Sequence, residues 1–112
     1  MALMKSAAGT SVFFVAAHTL AEFYRGGTST AREAQLVHRW RPEVIPVGAA
    51  EGRLAGELLG RTSGTNSMDA IVVATAAMHR IDEIFTTDPT DIARLRDALD
   101  TSAPWIAIVA AG

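Results

Sequence analysis

The stretch MDAIVVATAAMHRIDEIFTTDPTDIARLRDAL, residues 68–99, places three segments of different hydrophobic pattern in succession. Residues 68–78 are almost entirely apolar over the length of a helix, and residues 82–87 have the β-branched and aromatic composition of a short strand. Residues 89–99 are predicted to form a second helix that begins after Asp88. A helix, a strand and another helix in this order predict an α/β fold.

The rest of the chain continues this alternation. Further strands are predicted at residues 11–16, 41–47 and 104–111, and further helices at residues 18–24, 28–40 and 49–59. The strand between the prolines is expected at a sheet edge, and Gly60 is expected to end the helix at 49–59. Residues 1–8, rich in Ala and Met, are predicted to be the last turns of a helix. We therefore expect one domain over residues 1–112 with a mostly parallel sheet.

The composition excludes several kinds of protein. Twelve acidic and ten basic residues nearly balance at a net charge of −2, so no overall positive field attracts nucleic acid or membrane. The chain has no cysteine, which excludes disulfides, thiol nucleophiles and thiolate metal sites. Its longest apolar run, residues 12–17, is far shorter than the roughly 20 residues that span a bilayer. We expect a cytoplasmic protein without membrane association.

Four carboxylates follow predicted strands or open predicted helices. Glu22 comes after the first strand, Asp69 lies in the first turn of the apolar helix, and Asp88 and Asp91 follow the strand at 82–87. In an open parallel sheet these junctions meet at the carboxyl ends of the strands, so the four side chains are expected to converge. Two carboxylates about 4 Å apart repel by on the order of 4 kcal/mol at an effective dielectric constant near 20, and a bound cation removes that repulsion.

Helix capping is the alternative explanation for Asp69 and Asp88. A carboxylate at a helix N-terminus accepts hydrogen bonds from free N–H groups and interacts favourably with the helix dipole, by roughly 0.3–1 kcal/mol. If the acids instead form a site, an all-oxygen ligand set without Cys or a suitably placed His favours Mg²⁺ or Mn²⁺ over Zn²⁺. His18, His38 and His79 share no ligand spacing and are assigned structural or surface roles.

Three segments resemble the PIN-domain nucleases, and among them the bacterial toxins of the VapC type. TLAEFYRGG at residues 19–27, MDAIVVATAA at 68–77 and IFTTDPTDIARL at 84–95 are similar to three motifs of that family, in the same order. The resemblance covers essentially the whole chain. It implies a three-layer α/β/α fold that holds Mg²⁺ or Mn²⁺ and hydrolyses single-stranded or looped RNA, with a small antitoxin protein as partner.

The resemblance also implies roles for individual residues. Glu22, Asp69 and Asp91 fall on the family's acidic positions and are the expected catalytic and metal-binding residues. Asp88 falls on a neighbouring position that also faces the metal, so it is a fourth expected metal ligand. Asn66 lies where related sequences sometimes carry another acid.

Residues beside these acids are candidates for contact with RNA. Arg25 could bind a phosphate near the metal, and a solvated arginine at a helix end is the alternative. Thr86 and Thr87 could orient a water or a phosphate oxygen, although threonine is ordinary at a strand end. Trp40 is expected in the core or at a partner surface rather than stacked on a base. No DNA specificity is expected.

The chain departs from the family at its N-terminus. Family members begin with an apolar strand that ends in Asp and lies in the middle of the sheet, whereas no Asp precedes position 69 here. The resemblance therefore predicts an N-terminally truncated domain with a gap at the centre of its sheet. Such a domain is expected to form a homo-oligomer, and to cleave RNA weakly or not at all as an isolated monomer.

Three hypotheses about function follow from the sequence. The first is a metal-dependent ribonuclease, the toxin of a toxin–antitoxin pair, with Mg²⁺ or Mn²⁺ held by the carboxylates. The second is a degenerate PIN-like module that binds other proteins without nuclease activity; the missing first Asp favours it and the retained acids disfavour it. The third is a CheY-like receiver or another doubly wound binding domain. The chain has no acidic pair at an early strand end and no late lysine, which disfavours the third.

Overall fold

Both strands and helices are present in the computed structural model, which describes residues 2–6, 13–21, 39, 41–64, 66–100 and 106–110. The described strands are β1 (Ala2–Lys5), β2 (Phe13–Ala16), β3 (Glu43–Ile45), β4 (Glu83–Thr86) and β5 (Ala107–Ala110). The described helices are α1 (Ala49–Thr62), α2 (Ser67–Met78) and α3 (Pro89–Asp97), with a one-turn 3₁₀ helix at Ala17–Thr19. The predicted α/β fold class is confirmed.

The five described strands form one mixed sheet in the order β3-β2-β1-β4-β5. The outer pairs, β2 with β3 and β4 with β5, are parallel, while β1 is antiparallel to both of its neighbours. The prediction of a mostly parallel sheet is therefore wrong. Only residues 6–12 separate β1 from β2, and a parallel neighbour needs a crossover of about a dozen residues or more. The short link requires β1 to run antiparallel to β2.

Strand β1 corrects the prediction that residues 1–8 are the end of a helix. Its register places Met4 between Phe14 of β2 and Ile84 of β4, at the centre of the sheet. Leu3 is 5% exposed and Met4 is fully buried, so β1 is covered on both faces. Ala, Leu and Met favour helices in isolation, but burial between two strands overrides that weak preference. The gap expected at the sheet centre is occupied by β1.

The two faces of the sheet belong to different apolar clusters. Met4 faces the main core, which it shares with buried side chains of all three described helices. Leu3, one residue earlier, faces the opposite side and packs with Val15, because successive strand residues alternate between faces. The rings of Phe13 and Phe85 meet edge to face on this second side, with their centroids 5.7 Å apart.

The end of α1 lies beyond the predicted stop at Gly60, so that prediction is wrong. The helix continues to Thr62, whose hydroxyl donates to the Leu58 carbonyl over 2.8 Å. Ser63 then adopts the left-handed conformation, with φ of 53°, and ends the helix. The left-handed residue, which glycine adopts most readily, comes three positions after Gly60. Among the described strands, β3 lies at an edge of the sheet, as predicted.

Helices α1 and α2 are joined by a polar contact as well as by the core. Glu51, in the first turn of α1, is buried, and its Oε1 lies 3.1 Å from Nε2 of His79, just after α2. Its Oε2 accepts the backbone N–H of Gly48 over 3.3 Å, which satisfies one of the free donors at the helix start. This arrangement holds the beginning of α1 to the end of α2.

Replacing Glu51 with glutamine is expected to remove a pH-dependent part of the stability. The pKa of Glu51 is lowered from its usual 4.5, chiefly by a hydrogen bond from its own backbone N–H and next by His79. A carboxyl group with a lower pKa in the folded state stabilises the fold above its unfolded pKa, and loses this effect as pH falls through the folded value. In urea titrations, the stability difference between wild type and Glu51→Gln should shrink as the pH falls below about 4. A difference that stays constant down to about pH 3 would contradict this.

Some predicted features lie outside the described residues. They include all but residue 39 of the helix at 28–40, most of the helix at 18–24, and the side chains of His38 and Trp40. Within the described ranges, no helix has both the length and the apolar character that a membrane crossing requires.

Candidate metal site

Three aspartates predicted to converge do come together at the beginnings of α2 and α3. Asp69 lies in the first turn of α2, Asp88 immediately precedes α3, and Asp91 lies in the first turn of α3. Each offers a carboxylate oxygen, and the three oxygens lie within 4.8 Å of one another. The chain therefore brings together a triad of aspartates, separated by up to 22 residues in sequence, that could hold a metal ion.

The first turn of α2 is fixed by Asn66 rather than by an acid. The Oδ1 atom of Asn66 accepts the backbone N–H of Asp69 over 3.1 Å, so Asn66 is the N-cap and Asp69 is the third helical residue. This bond sets the position of the Asp69 backbone. Asp69 as a residue is partly buried and its Oδ2 atom is fully buried. Asn66, the weak candidate acid position, thus has a local structural role.

The turn between β4 and α3 is fixed by Thr86. Its side chain is buried, and its hydroxyl oxygen accepts the backbone N–H of Asp88 over 3.0 Å. Asp88 occupies the N-cap position before Pro89, yet its side chain makes no capping hydrogen bond to the described helix. The explanation of Asp88 as a side-chain cap is therefore wrong, and its exposed carboxylate faces the same site as Asp69 and Asp91.

Arg94 is a charged residue of the site that sequence reasoning missed. Its Nη2 atom lies 3.2 Å from Oδ1 of Asp91, and both side chains are about half exposed. The spacing of three residues within one helix is itself a signal, since side chains three or four apart on a helix are neighbours. Solvent screening makes such a pair worth only about 0.3–0.5 kcal/mol. Arg94 therefore offsets a small part of the negative charge of the triad.

The triad has the chemistry of a site for a hard cation. Carboxylates about 5 Å apart repel by on the order of 3 kcal/mol at an effective dielectric constant of 20, before screening by water and salt. Oxygen ligands of an octahedral Mg²⁺ ion are about 2.9 Å apart when adjacent and about 4.1 Å apart when opposite, because each Mg–O distance is about 2.0–2.1 Å. The observed separations, up to 4.8 Å, are close enough for small side-chain rotations to reach this geometry. All-oxygen sites of this kind suit Mg²⁺, Ca²⁺ or Mn²⁺.

The remaining residues singled out in the sequence do not all lie within the described ranges. Glu22 and Arg25 lie outside the described residues. Thr87 is exposed, directly before Asp88, and its contact with RNA stays a prediction. His18 lies with its Nε2 atom 3.0 Å from the Met68 carbonyl oxygen, which confirms a structural role and joins the 3₁₀ helix to the start of α2.

Known proteins provide no independent identification of this chain. No protein-family model matches it, and no curated protein matches it either. A function is therefore inferred from two observations. They are the geometry of the three aspartates and the motifs at residues 19–27, 68–77 and 84–95.

Proposed function

We propose that this protein is a metal-dependent ribonuclease related to the PIN-domain toxins, and that it hydrolyses phosphodiester bonds of RNA with Mg²⁺ or Mn²⁺. The single observation that carries the proposal is the convergence of Asp69, Asp88 and Asp91 within 4.8 Å. Two of the three sequence motifs that resemble the family supply these residues. The motifs are defined by sequence alone, so the convergence of their aspartates in space supports the resemblance.

The carboxylate ligands, and the hydrogen bonds that fix two of their backbones, suit the proposed cation. Asp69, Asp88 and Asp91 would hold it, and their carboxylate oxygens lie within 4.8 Å of one another. Asn66 accepts the backbone N–H of Asp69 and Thr86 accepts that of Asp88, so two of the three backbones are fixed by side chains. When bound, such an ion lowers the pKa of a water molecule and neutralises charge that develops on the phosphate. The chain contributes the ligand positions and the partly buried setting of Asp69, which strengthens its attraction for a cation.

Glu22 is proposed as a fourth ligand from its motif. This stretch of the described residues ends at Ala21, directly before Glu22. Within it, His18 is hydrogen-bonded to the carbonyl oxygen of Met68, the neighbour of Asp69. The segment that leads to Glu22 therefore departs from the start of α2, where the triad lies. The roles of Glu22, Asp69 and Asp91 as catalytic residues belong to the proposal.

The proposal includes the family's other properties. A second helical layer would complete a three-layer α/β/α arrangement on the face of the sheet that carries Leu3 and Val15. The partners would be the RNA substrate, a small antitoxin protein and further copies of this chain. Its setting would be the cytoplasm of a bacterium.

The alternative function is a PIN-like protein-interaction module without nuclease activity. The ion pair between Arg94 and Asp91 favours it, because an arginine in the cluster lowers the need for a cation. We consider it second because a half-exposed pair offsets only a small part of the repulsion among three carboxylates.

RNA cleavage by the full chain tests the proposal against this alternative. At a protein concentration at which copies of the chain associate, labelled single-stranded and hairpin RNAs should be cut in Mn²⁺ or Mg²⁺, with no cleavage in EDTA. Asp69→Asn removes one negative ligand at nearly constant size, so the rate should fall by about 100-fold or more. Asp100→Asn, a matched change at an exposed position after α3, should leave the rate unchanged and controls for contaminating nucleases. Cleavage that is equal in Asp69→Asn and wild type, or that is absent with either cation, would contradict the proposal.

A further inference from the structure

A small pocket lies directly beside the aspartate triad, between α1, the turn before α2, and α3. It has a volume of about 40 Å³ and is open on one side to solvent. Asp91 of the triad forms part of its wall, together with Arg94 and Asn66, and Leu59 and Leu95 supply apolar walls. The pocket and the triad therefore share one carboxylate, and a group bound in the pocket would lie next to a cation on the aspartates.

The polar groups of the pocket other than Asp91 include two hydrogen-bond donors. Arg94 offers a planar guanidinium group with five N–H donors, and its Nη2 atom lies 3.2 Å from Oδ1 of Asp91. Asn66, which also lines the pocket, uses Oδ1 as the cap of α2, and its Nδ2 amino group adds two N–H donors. Donors of this kind, one of them permanently charged, match the oxygens of a phosphate group.

We propose that this pocket binds a phosphate group of the nucleic-acid substrate beside the proposed metal site, with Arg94 and Asn66 as its donors. The inference rests on the proposed function. Arg94 pairs with Asp91 while the cation is absent; when a cation takes Asp91, the guanidinium is released to a phosphate oxygen. Arg94 thus competes with the cation for Asp91 and cooperates with it in binding phosphate.

Replacing Arg94 with glutamine is expected to change the affinities for Mg²⁺ and for phosphate in opposite directions. Arg94→Gln removes the positive charge that competes for Asp91, so Mg²⁺ should bind about two to five times more tightly. The same variant loses a charge-assisted donor, so a phosphate ligand should bind about ten times more weakly. A residue with a purely structural role would not shift the two affinities in opposite directions.

The measurement uses the full chain with adenosine 5′-monophosphate as a probe and adenosine as the ligand without phosphate. Binding is followed by NMR, with the methyl groups of Leu59 and Leu95 as reporters on the pocket walls. Wild type with saturating Mg²⁺ should bind the nucleotide and not adenosine. Asn66→Ser, which keeps an N-cap acceptor and removes the amide donors, should weaken nucleotide binding about threefold to tenfold without lowering the melting temperature. Arg53→Gln, an equal charge change at an exposed position nearer the start of α1, is the matched control and should stay within about twofold of wild type.

The outcomes separate this inference from the function on which it rests. Mg²⁺ binding combined with equal nucleotide affinity in Arg94→Gln and wild type would overturn the phosphate pocket and leave the proposed nuclease standing. Nucleotide binding that needs no cation and is lost in Arg94→Gln would support the pocket and contradict its coupling to the cation. Equal binding of nucleotide and adenosine would overturn the pocket, because the phosphate would then contribute nothing.

Discussion

Replacing Met4 with alanine is expected to lower the free energy of unfolding by about 2–5 kcal/mol. Met4 is fully buried in the central strand, with Phe14 and Ile84 as its register partners on either side. Truncation removes apolar atoms from the core and leaves a cavity that two flanking strands cannot close without shifting. Such a loss is a large fraction of the 5–15 kcal/mol that stabilises a typical domain. Guanidinium titration with a common m-value for the two proteins gives the measurement.

Met78→Ala is the matched control for this substitution. Met78 lies at the end of α2 and is 45% exposed, so its truncation should change the stability by no more than about 0.5 kcal/mol. The two methionine variants therefore differ only in where the side chain lies. Equal and small effects from both would show that residues 2–5 do not form the centre of the sheet.

Saturating Mn²⁺ is expected to raise the free energy of unfolding by about 2.7 kcal/mol when the ion is present at about 100 times its Kd. The ion binds the folded chain through carboxylates that the unfolded chain does not hold together. For a chain of 112 residues this corresponds to a rise of roughly 10 °C in the melting temperature. Thermal unfolding followed by circular dichroism, with and without the ion, measures it.

Variants of the aspartates separate metal binding from general effects of Mn²⁺. Asp69→Asn and Asp91→Asn should lose most of the gain, and Asp100→Asn, exposed after α3, should keep it. Without metal, Asp91→Asn should be about as stable as wild type or more stable, because relief of repulsion offsets the loss of its pair with Arg94. A melting temperature that does not change at about 10 mM Mn²⁺ would exclude metal binding by this chain at any useful affinity.

The helices and outer strands could be predicted from sequence because their signals are local. The apolar stretch of α2, the proline at the start of α3 and the prolines around β3 each mark an element without reference to the rest of the chain. The central strand could not be predicted in this way. Residues 2–4 are buried on both faces, so they show no alternation, and their partner β4 lies about 80 residues away. Only tertiary pairing makes them a strand.

The acidic residues of the candidate site could be predicted from sequence, but the residues that hold them in place could not. Asp69, Asp88 and Asp91 could be placed because carboxylates at helix starts converge when strands and helices alternate. The bond from the Asp88 N–H to Thr86 depends on the shape of one turn, and threonine at a strand end is too common to indicate it. The contact of Arg94 with Asp91 was indicated by spacing, but its place in a pocket depends on how α1 packs against α3.

The position of β1 also sets the order in which the sheet can be completed during synthesis. Ala2 pairs with Thr86, so β4 leaves the ribosome about 4–16 s after β1 at roughly 5–20 residues per second. Strand β2 follows β1 within about 2 s at the same rates, and an isolated pair of strands is only marginally stable. For several seconds the apolar β1 has an open edge, to which another chain can add a strand. Newly made copies are therefore expected to aggregate most readily in that interval, and slower translation should lengthen it.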